Sequence, residues 1–400
     1  MFKRLLSVFT LLSLLIISSA SAQADDNPAI AILRFGGSSL APTVTEISIL
    51  DSLHAYGYIN AAEKSILDGR TNLAGENITI SWGDATWDLP TANLMIDAAL
   101  DRDVDVLVTL TTPVTQIAVN ATLALETPPA VLFASVYNPY RAGIAQSSCI
   151  KPDHVTGTEL QSPYADILAL LRMQAPDIST IGTLYNSSET SGIIGAERIT
   201  ELSESLGLTV IHTAVTDLSD LRAATDSLVS KGAEAIVLPI DSVTAQGLPT
   251  IATVANDNGI LIFYPSIGSI SHGATIGAGF HRYEEQGHSI GRMLTAYLDG
   301  NLDTATTGID VQTGSGIGVN LDSAKLLGIE IADAVLAQVD IVIDGGQVSQ
   351  SSAFQALTES GRATAAMADR LAHDLAYLQN LHCSPDNIAE QQAALDAADS

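Results

Sequence analysis

The sequence predicts an α/β protein built from two doubly wound parallel-sheet lobes, with a helical extension at its C-terminus. Short apolar runs alternate with segments of helical period along residues 29–345, which is the pattern of parallel sheets covered by helices. Residues 181–241 contain one complete strand–helix–strand–helix–strand unit. After residue 140 the pattern restarts, so we expect two similar halves.

The first half contains four predicted strands separated by helices. The run at 104–110 is rich in β-branched residues and poor in polar ones, which is typical of a buried strand. Pro90 lies near the start of a helix, where proline is tolerated, and Gly57 ends the helix before it. Segment 60–72 is an insertion to which the pattern assigns no role. The strands are 29–33, 77–82, 104–110 and 130–134, and the helices are 43–56, 89–102 and 115–125.

The second half repeats the alternation. Residues 181–184 form a short apolar run that ends in a turn-forming polar string, and the helix after it stops at Gly207. Residues 235–241 form an apolar strand up to its final carboxylate. The remaining elements are strands 209–212 and 260–263, the apolar segment 274–280, and helices 163–174, 245–258 and 283–298.

The C-terminal extension, residues 346–400, is predicted to contain a long amphipathic helix. Its apolar residues recur at intervals of four, four, four and three, which places them on one helix face. That face either packs against the body of the protein or pairs with a second chain. Residues 386–400 are acidic and alanine-rich and are expected to be solvated or frayed. The face consists of Ala363, Met367, Leu371, Leu375 and Leu378.

The N-terminus has the features of a secretory signal peptide covering residues 1–24. Two basic residues precede the apolar run 5–17, and small residues then offer cleavage near Ala22 or Ala24. The run is shorter than the ~20 residues that a membrane-spanning helix needs. No cysteine stands at the cleavage region, so a lipoprotein is not expected. The sequence therefore predicts a secreted, periplasmic protein without direct membrane insertion.

The formal net charge of −28 argues against two classes of partner. The excess of acidic residues produces a field that repels nucleic acid and anionic lipid. The sequence also lacks the H-E-x-x-H, C-x-x-C and G-x-S-x-G patterns of common metal, redox and hydrolase sites. No enzyme activity, cofactor or metal is therefore predicted. The alternative is a metal set on one helix face, formed by His281, Glu284, Glu285 and His288.

The chain contains two cysteines, Cys149 and Cys383. In an oxidising exported compartment a single pair favours a disulfide, which would fasten the C-terminal extension to the body. Because sequence alone does not fix the pairing, two free thiols are the alternative. Neither cysteine has a neighbouring pattern for catalysis.

Polar residues collect where the strands of the 181–241 unit end. Ligands of open parallel sheets bind beyond the carboxyl ends of the strands, so these residues predict a small-molecule site. Asp241 is the sharpest candidate because it ends a wholly apolar strand. Its alternative role is to cap the helix that follows. The candidates after the first strand of the unit are Tyr185, Asn186, Ser188, Glu189 and Thr190.

Three short motifs carry a family resemblance. They are H-V-T-G at 154–157, L-Y-N-S-S-E at 184–189 and L-P-I-D-S at 238–242. In their order and spacing the chain resembles the ABC-transporter substrate-binding proteins of the tryptophan/tyrosine-binding type. The resemblance implies a protein that captures a small ligand, such as an amino acid, and delivers it to an ABC permease in the inner membrane. A sensor that docks a membrane receptor or kinase is the alternative.

The same resemblance implies a type I periplasmic-binding-protein-like fold. Its two lobes are joined by a three-segment hinge, and the ligand lies in the cleft between them. Lobe 1 is expected at residues 25–140 and 268–305, and lobe 2 at 141–267 and 306–345.

The resemblance also assigns ligand contacts at the strand exits. Asp241 is expected to hold the ammonium group of an amino acid by a charge-assisted hydrogen bond. Thr112 and Thr115 match the family's T-P-x-A turn, where a helix N-terminus favours a ligand carboxylate; helix capping is the alternative. Ser266 stands where relatives often carry a serine–aspartate pair, so the cleft is expected to be less acidic there.

The exit of the first strand departs from the family's usual turn. Phe35 is expected to stack on a ligand ring and Arg34 to pair with a ligand carboxylate, and Ser38 is a further candidate contact. The alternative is that these are ordinary hinge or packing residues.

Overall fold

The computed structural model describes residues 27–37, 43–356 and 370–398. Its strands form two separate sheets of seven and eight strands. The first sheet contains, in spatial order, β12 (Asp310–Gln312), β6 (Val155–Leu160), β5 (Ala130–Val136), β4 (Val106–Leu110), β1 (Ala29–Arg34), β3 (Thr79–Asp84) and β2 (Leu73–Ala74). The second contains β15 (Gln347–Gln350), β14 (Ile341–Asp344), β13 (Ser315–Asn320), β11 (Ile276–Phe280), β10 (Leu261–Tyr264), β9 (Ala235–Val237), β7 (Thr180–Asn186) and β8 (Thr209–Val215).

Helices cover both sheets and define two lobes. The first lobe contains α1 (Val44–Ala55), α2 (Ala61–Leu67), α3 (Leu89–Leu100), α4 (Thr112–Thr122) and α9 (Tyr283–Leu298). The second contains α5 (Tyr164–Gln174), α6 (Thr190–Ser205), α7 (Leu221–Ser230), α8 (Ser242–Asp257), α10 (Leu321–Leu327) and α11 (Asp333–Leu336). Short 3-10 helices lie at Leu218–Asp220, Ile267–His272 and Thr304–Thr306, and the C-terminal extension contains α12 (Arg370–Gln379) and α13 (Pro385–Ala398).

Strand β1 shows why these sheets need helices on both faces. Ile30 and Ile32 point into one buried apolar cluster, and Ala31 and Leu33 into another. Successive side chains of a strand point to opposite faces, so a wholly apolar strand is stable only when both faces are covered. The pairs β2–β3, β11–β13 and β14–β15 are antiparallel and the other pairs are parallel. The predicted α/β class with two parallel-dominated sheets is confirmed.

The lobe boundaries differ from those expected at residues 140, 267 and 305. Strands β6 and β12 belong to the first sheet and β11 to the second, so the chain changes lobe after each of these strands. The restart of the apolar pattern after residue 140 therefore marks a further strand of the same sheet. Gly157 fixes this pairing, because a Cβ there would lie 2.3 Å from the carbonyl oxygen of Phe133 on β5. The glycine of the H-V-T-G motif serves sheet packing.

The C-terminal extension leaves the second sheet at β15 and returns to the first lobe. A disulfide joins Cys149 to Cys383, which confirms the predicted pairing. Leu378 on α12 enters the apolar core of the first lobe, so the described part of the predicted helix packs against the body. Ala363 and Met367 lie outside the described residues. The segment expected to be solvated or frayed forms helix α13, whose residues are mostly exposed.

The insertion at 60–72 forms a capped helix and supplies a buried cation. The side-chain oxygen of Asn60 accepts the backbone N–H groups of Ala62 and Glu63, and the Glu63 carboxylate in turn accepts the backbone N–H of Asn60. Arg70, after this helix, pairs with the buried Glu46 on α1.

Among the described residues, no helix has both the length and the apolar character needed to cross a membrane.

Candidate functional site

A cavity lies between the lobes, at the carboxyl ends of their strands. Thr112, Tyr137, Asn138 and Arg141 line it from the first lobe. The second lobe contributes Ser162, Tyr164, Ser191, Ile194, Gly195, Arg198 and Ile240. A molecule bound here contacts both lobes at once, which is the geometry that couples binding to lobe closure.

The wall formed by the turn after β4 is strained and incompletely hydrogen-bonded. Thr111 has φ 81° and ψ 158°, a backbone conformation that is nearly restricted to glycine. Its hydroxyl is buried and has no hydrogen-bond partner among the described residues. The next residue, Thr112, begins α4 and lines the cavity. This helix N-terminus therefore places backbone N–H groups at the cavity wall, where they suit an anionic group.

The opposite wall is built by close contact between α6 and the turn after β9. The hydroxyl of Tyr164 accepts the backbone N–H of Ile240 at 3.1 Å. A Cβ at position 195 would lie 2.4 Å from that hydroxyl oxygen and 2.6 Å from the Cβ of Pro239. Gly195 is therefore required for α6 to approach this wall.

Tyrosine rings form the apolar part of the cleft. Tyr137 hydrogen-bonds to Tyr283, and burial raises the pKa of both phenols. Burial likewise raises the pKa of Tyr164 and Tyr264. All four stay protonated at neutral pH, and the two that line the cavity, Tyr137 and Tyr164, offer neutral hydroxyl groups and ring faces to a ligand.

The family model described as ABC transporter substrate binding protein matches residues 60–343. The chain belongs to this family. A curated relative, the tyrosine-binding protein of Clostridioides difficile strain R20291, is 27% identical over 277 residues, which is 68% of this chain and 76% of that protein. Members of the family are substrate-binding proteins of ABC transporters, so this chain captures a small ligand for import.

Solved structures share the two-lobed fold. An ABC domain from Streptococcus pneumonia in complex with L-Trp has a TM-score of 0.67 and 24% identity over 79% of this chain and all of that one. A conserved domain protein from Vibrio cholerae has a TM-score of 0.68 and 23% identity over 79% of this chain and 99% of that one. The ligand-free, open form of a substrate-binding protein with adhesive properties from Clostridium difficile has a TM-score of 0.56, with 25% identity over 78% of this chain and 98% of that one.

In this substrate-binding protein, Asp241 caps the helix that follows it. This is the alternative role that the sequence indicated for it. One carboxylate oxygen accepts the backbone N–H of Thr244 at 2.7 Å, at the start of α8, and the other accepts that of Asn186 at 2.9 Å. Asp241 is only 3% exposed and does not line the cavity. Burial raises its pKa to about 6, and the nearby Glu189 adds to the shift.

Glu189 joins the two predicted motifs to each other and to the cavity wall. Its Oε2 accepts both the backbone N–H of Ser242, at 3.1 Å, and the Ser242 hydroxyl, at 2.6 Å. Its Oε1 accepts the hydroxyl of Ser191, which lines the cavity, at 2.7 Å. Two buried carboxylates thus lie behind Ser191 and give this wall a negative potential.

Thr115 and Phe35 are internal residues. Thr115 is fully buried, and its hydroxyl bonds to the Thr111 carbonyl at 2.8 Å and to the Thr109 hydroxyl at 3.0 Å. It therefore stabilises the strained turn from behind. Phe35 is buried against Trp87, with their rings at 84° to each other, so it packs in the core of the first lobe. Ser38 lies outside the described residues.

The other predicted contacts do not line the cavity. Tyr185 faces an outer groove, where its ring meets His212 edge-on. Ser188 is exposed in the turn before α6, and Thr190 is the first residue of that helix. Ser266 precedes the 3-10 helix at Ile267–His272. Of the predicted residues, only Thr112 lines the interlobe cavity.

Arg34 is part of a buried charge network. It pairs with Glu46 at 3.2 Å and with Asp84 at 2.6 Å, and it is only 1% exposed. Glu46 also pairs with Arg70 from the insertion. The expectation that Arg34 meets a ligand carboxylate is wrong for this structure, because two protein carboxylates already neutralise it.

Sequence reasoning missed most of the cavity. Tyr137 and Asn138 follow β5 in the first lobe, and Ser162 and Tyr164 follow the crossing after β6. The available signal was position, since residues at lobe crossings necessarily border the cleft.

No group of three His, Cys, Asp or Glu side chains within the described ranges is arranged to hold a metal ion, and His288 of the suggested metal set hydrogen-bonds to Arg370 and Ser52.

Proposed function

We propose that this protein is exported to the periplasm, binds an aromatic amino acid in the interlobe cavity and presents it to an inner-membrane ABC permease. The observation that carries the proposal is the contrast between the cavity walls. The first lobe offers the N-terminus of α4 at Thr112, which suits a carboxylate. The wall of Ser191 lies in front of two buried carboxylates, which suits an ammonium group.

The aromatic character of the ligand is supported by two observations. Tyr137 and Tyr164 border the cavity and offer ring surfaces for edge-to-face or offset packing. The similar proteins include one named for tyrosine and one solved with L-Trp. Closure around such a ligand shifts an open–closed equilibrium, because only the closed form contacts it from both lobes.

Calorimetric titration tests the ligand class. The mature protein is unfolded and refolded to release anything bound, and is then titrated with L-tyrosine, L-tryptophan, L-leucine and L-glutamate. We expect saturable, stoichiometric binding of at least one aromatic amino acid and none of L-glutamate. Absence of binding by both aromatic amino acids would overturn the proposal.

A further inference from the structure

Arg141 projects from a rigid turn at the rim of the first lobe. The turn follows β5, and the side-chain oxygen of Asn138 accepts the backbone N–H of Arg141 at 2.9 Å. The side chain of Gln116 on α4 donates to the Ala142 carbonyl at 2.6 Å. These bonds fix the backbone from which the guanidinium extends toward α6 of the second lobe.

The guanidinium of Arg141 reaches across the cleft to two carboxylates. It lies 2.5 Å from Glu197 and 3.3 Å from Glu201, both on α6. Arg198 holds the other oxygen of Glu201 at 3.0 Å. Hydrogen bonding from Arg198, and secondly the charge of Arg141, lower the pKa of Glu201, so it stays ionised well below neutral pH. Arg141 and Arg198 also line the cavity, beside Ile194.

We propose that Arg141 is a positioning residue for ligand binding, a latch whose pairing with Glu197 and Glu201 exists only when the cleft is shut. The inference rests on the proposed function, since it assumes that binding and closure are coupled. A contact present only in the closed form biases the equilibrium toward that form, and a ligand that binds the closed form gains affinity by the same factor. Part of the affinity therefore comes from residues that need not touch the ligand.

The expected effect is modest and depends on salt. The three side chains are about 40–50% exposed, so each pair contributes little in water, and removing both pairs is expected to weaken binding about twofold to tenfold. Salt screens charges at such a rim strongly, because the Debye length falls to about 3 Å at 1 M. High salt should therefore imitate the loss of Arg141.

The first experiment measures closure without ligand. Spin labels are attached to cysteines replacing Leu94 on the first lobe and Leu218 on the second, both exposed, and interlobe distances are recorded by pulsed EPR at about 20 mM and about 500 mM NaCl. We expect high salt to shift the distance distribution of the parent protein, and Arg141→Ala to give the same shift at low salt. Identical distributions in all these samples would overturn the latch.

Lys325→Ala is the matched control. Lys325 forms an exposed ion pair with Asp344 inside the second lobe, so this variant also removes one positive charge. It should leave the interlobe distances unchanged. A shift as large as that of Arg141→Ala would assign the effect to net charge and contradict the latch.

The second experiment separates the latch from direct ligand contact. Arg141→Glu should weaken binding of L-tyrosine and L-tryptophan, and the triple variant Arg141→Glu, Glu197→Arg, Glu201→Gln should restore it, because the interlobe pair is rebuilt with reversed charges and the new carboxylate no longer faces that of Glu201. Failure to restore binding would mean that Arg141 acts on the ligand itself. If neither amino acid binds, the proposed ligand class fails, while the distance measurement still decides the latch.

Discussion

The turn after β4 and the turn after β9 both carry polar residues, but they differ in how completely those residues are hydrogen-bonded. After β9, both carboxylate oxygens of Asp241 accept backbone N–H groups, and the residue is buried behind the cavity. After β4, Thr111 is strained, its hydroxyl is unpaired, and its neighbour Thr112 faces the cavity. The complete hydrogen bonds of Asp241 make it part of the scaffold, whereas the helix N-terminus after β4 is the surface that we propose binds the ligand.

The largest expected effect is on stability, from Asp241→Ala. The substitution removes the cap of α8 and leaves the N–H of Asn186 unpaired, which together should cost about 2–4 kcal/mol. Urea unfolding of the second lobe measures it. The control Asp217→Ala removes an exposed cap of a 3-10 helix and should have a much smaller effect. Unchanged stability with complete loss of ligand binding would instead make Asp241 a ligand contact.

The pH dependence of stability tests further the turn after β9, which contains Asp241. Burial raises the pKa of Asp241 from 3.8 to about 6, so the folded state holds this proton more tightly than the unfolded state. The stability that this group contributes is present at low pH and is lost as the pH rises from about 4 to about 6, at most about 3 kcal/mol. Urea midpoints of the parent and Asp241→Asn should show this loss only in the parent. Parallel pH profiles would contradict it.

Gly195→Ala should damage the cavity wall next to Tyr164. The added Cβ meets the Tyr164 hydroxyl and Pro239 at less than van der Waals distance, so we expect about 1–3 kcal/mol of lost stability and clearly weaker ligand binding. Gly268→Ala is the control, since its nearest neighbour would lie 3.9 Å away. Calorimetry that found equal affinities for the two variants would show that α6 does not shape the cavity.

The smallest effect tests the strained turn. Thr111→Gly relieves the unfavourable backbone conformation but adds chain entropy to the unfolded state, for a net gain of about 1 kcal/mol in stability. A more flexible turn also holds the adjacent Thr112 less firmly in the cavity wall, so ligand affinity should fall. Thr86→Gly, at another positive φ of 50° away from the cavity, should leave affinity unchanged. If Thr111→Gly is less stable or binds as well as the parent, the strain does not belong to the binding surface.

The sequence predicted what local patterns determine. The strand–helix rhythm, the α/β class and the unit at 181–241 follow from apolar periodicity, and the disulfide follows from one cysteine pair in a chain that the sequence predicts to be exported. The lobe membership of β6 and β11 did not follow, because strand pairing depends on contacts between residues distant in the chain. The steric need for Gly157 beside Phe133 is visible only once the sheet is built.

The candidate site was harder to predict because residue type does not report hydrogen-bond completeness. Asp241 was correctly singled out as unusual, but its two backbone partners are separated from it by 3 and 55 positions. Arg34 was similarly singled out, but its partner Glu46 also binds Arg70 from an insertion that showed no pattern. Thr112 was predicted because it matches the T-P-x-A turn of the family that the chain resembles, and the structure places it at the start of α4 and in the cavity wall.

Native mass spectrometry of the purified mature protein, followed by denaturing release, tests the central claim most directly, namely that the interlobe cavity holds one small ligand. The account predicts one aromatic amino acid per chain in the parent and in Gly268→Ala, and its loss in Gly195→Ala. A parent protein that carries no ligand, and takes up neither L-tyrosine nor L-tryptophan when they are added, would contradict it.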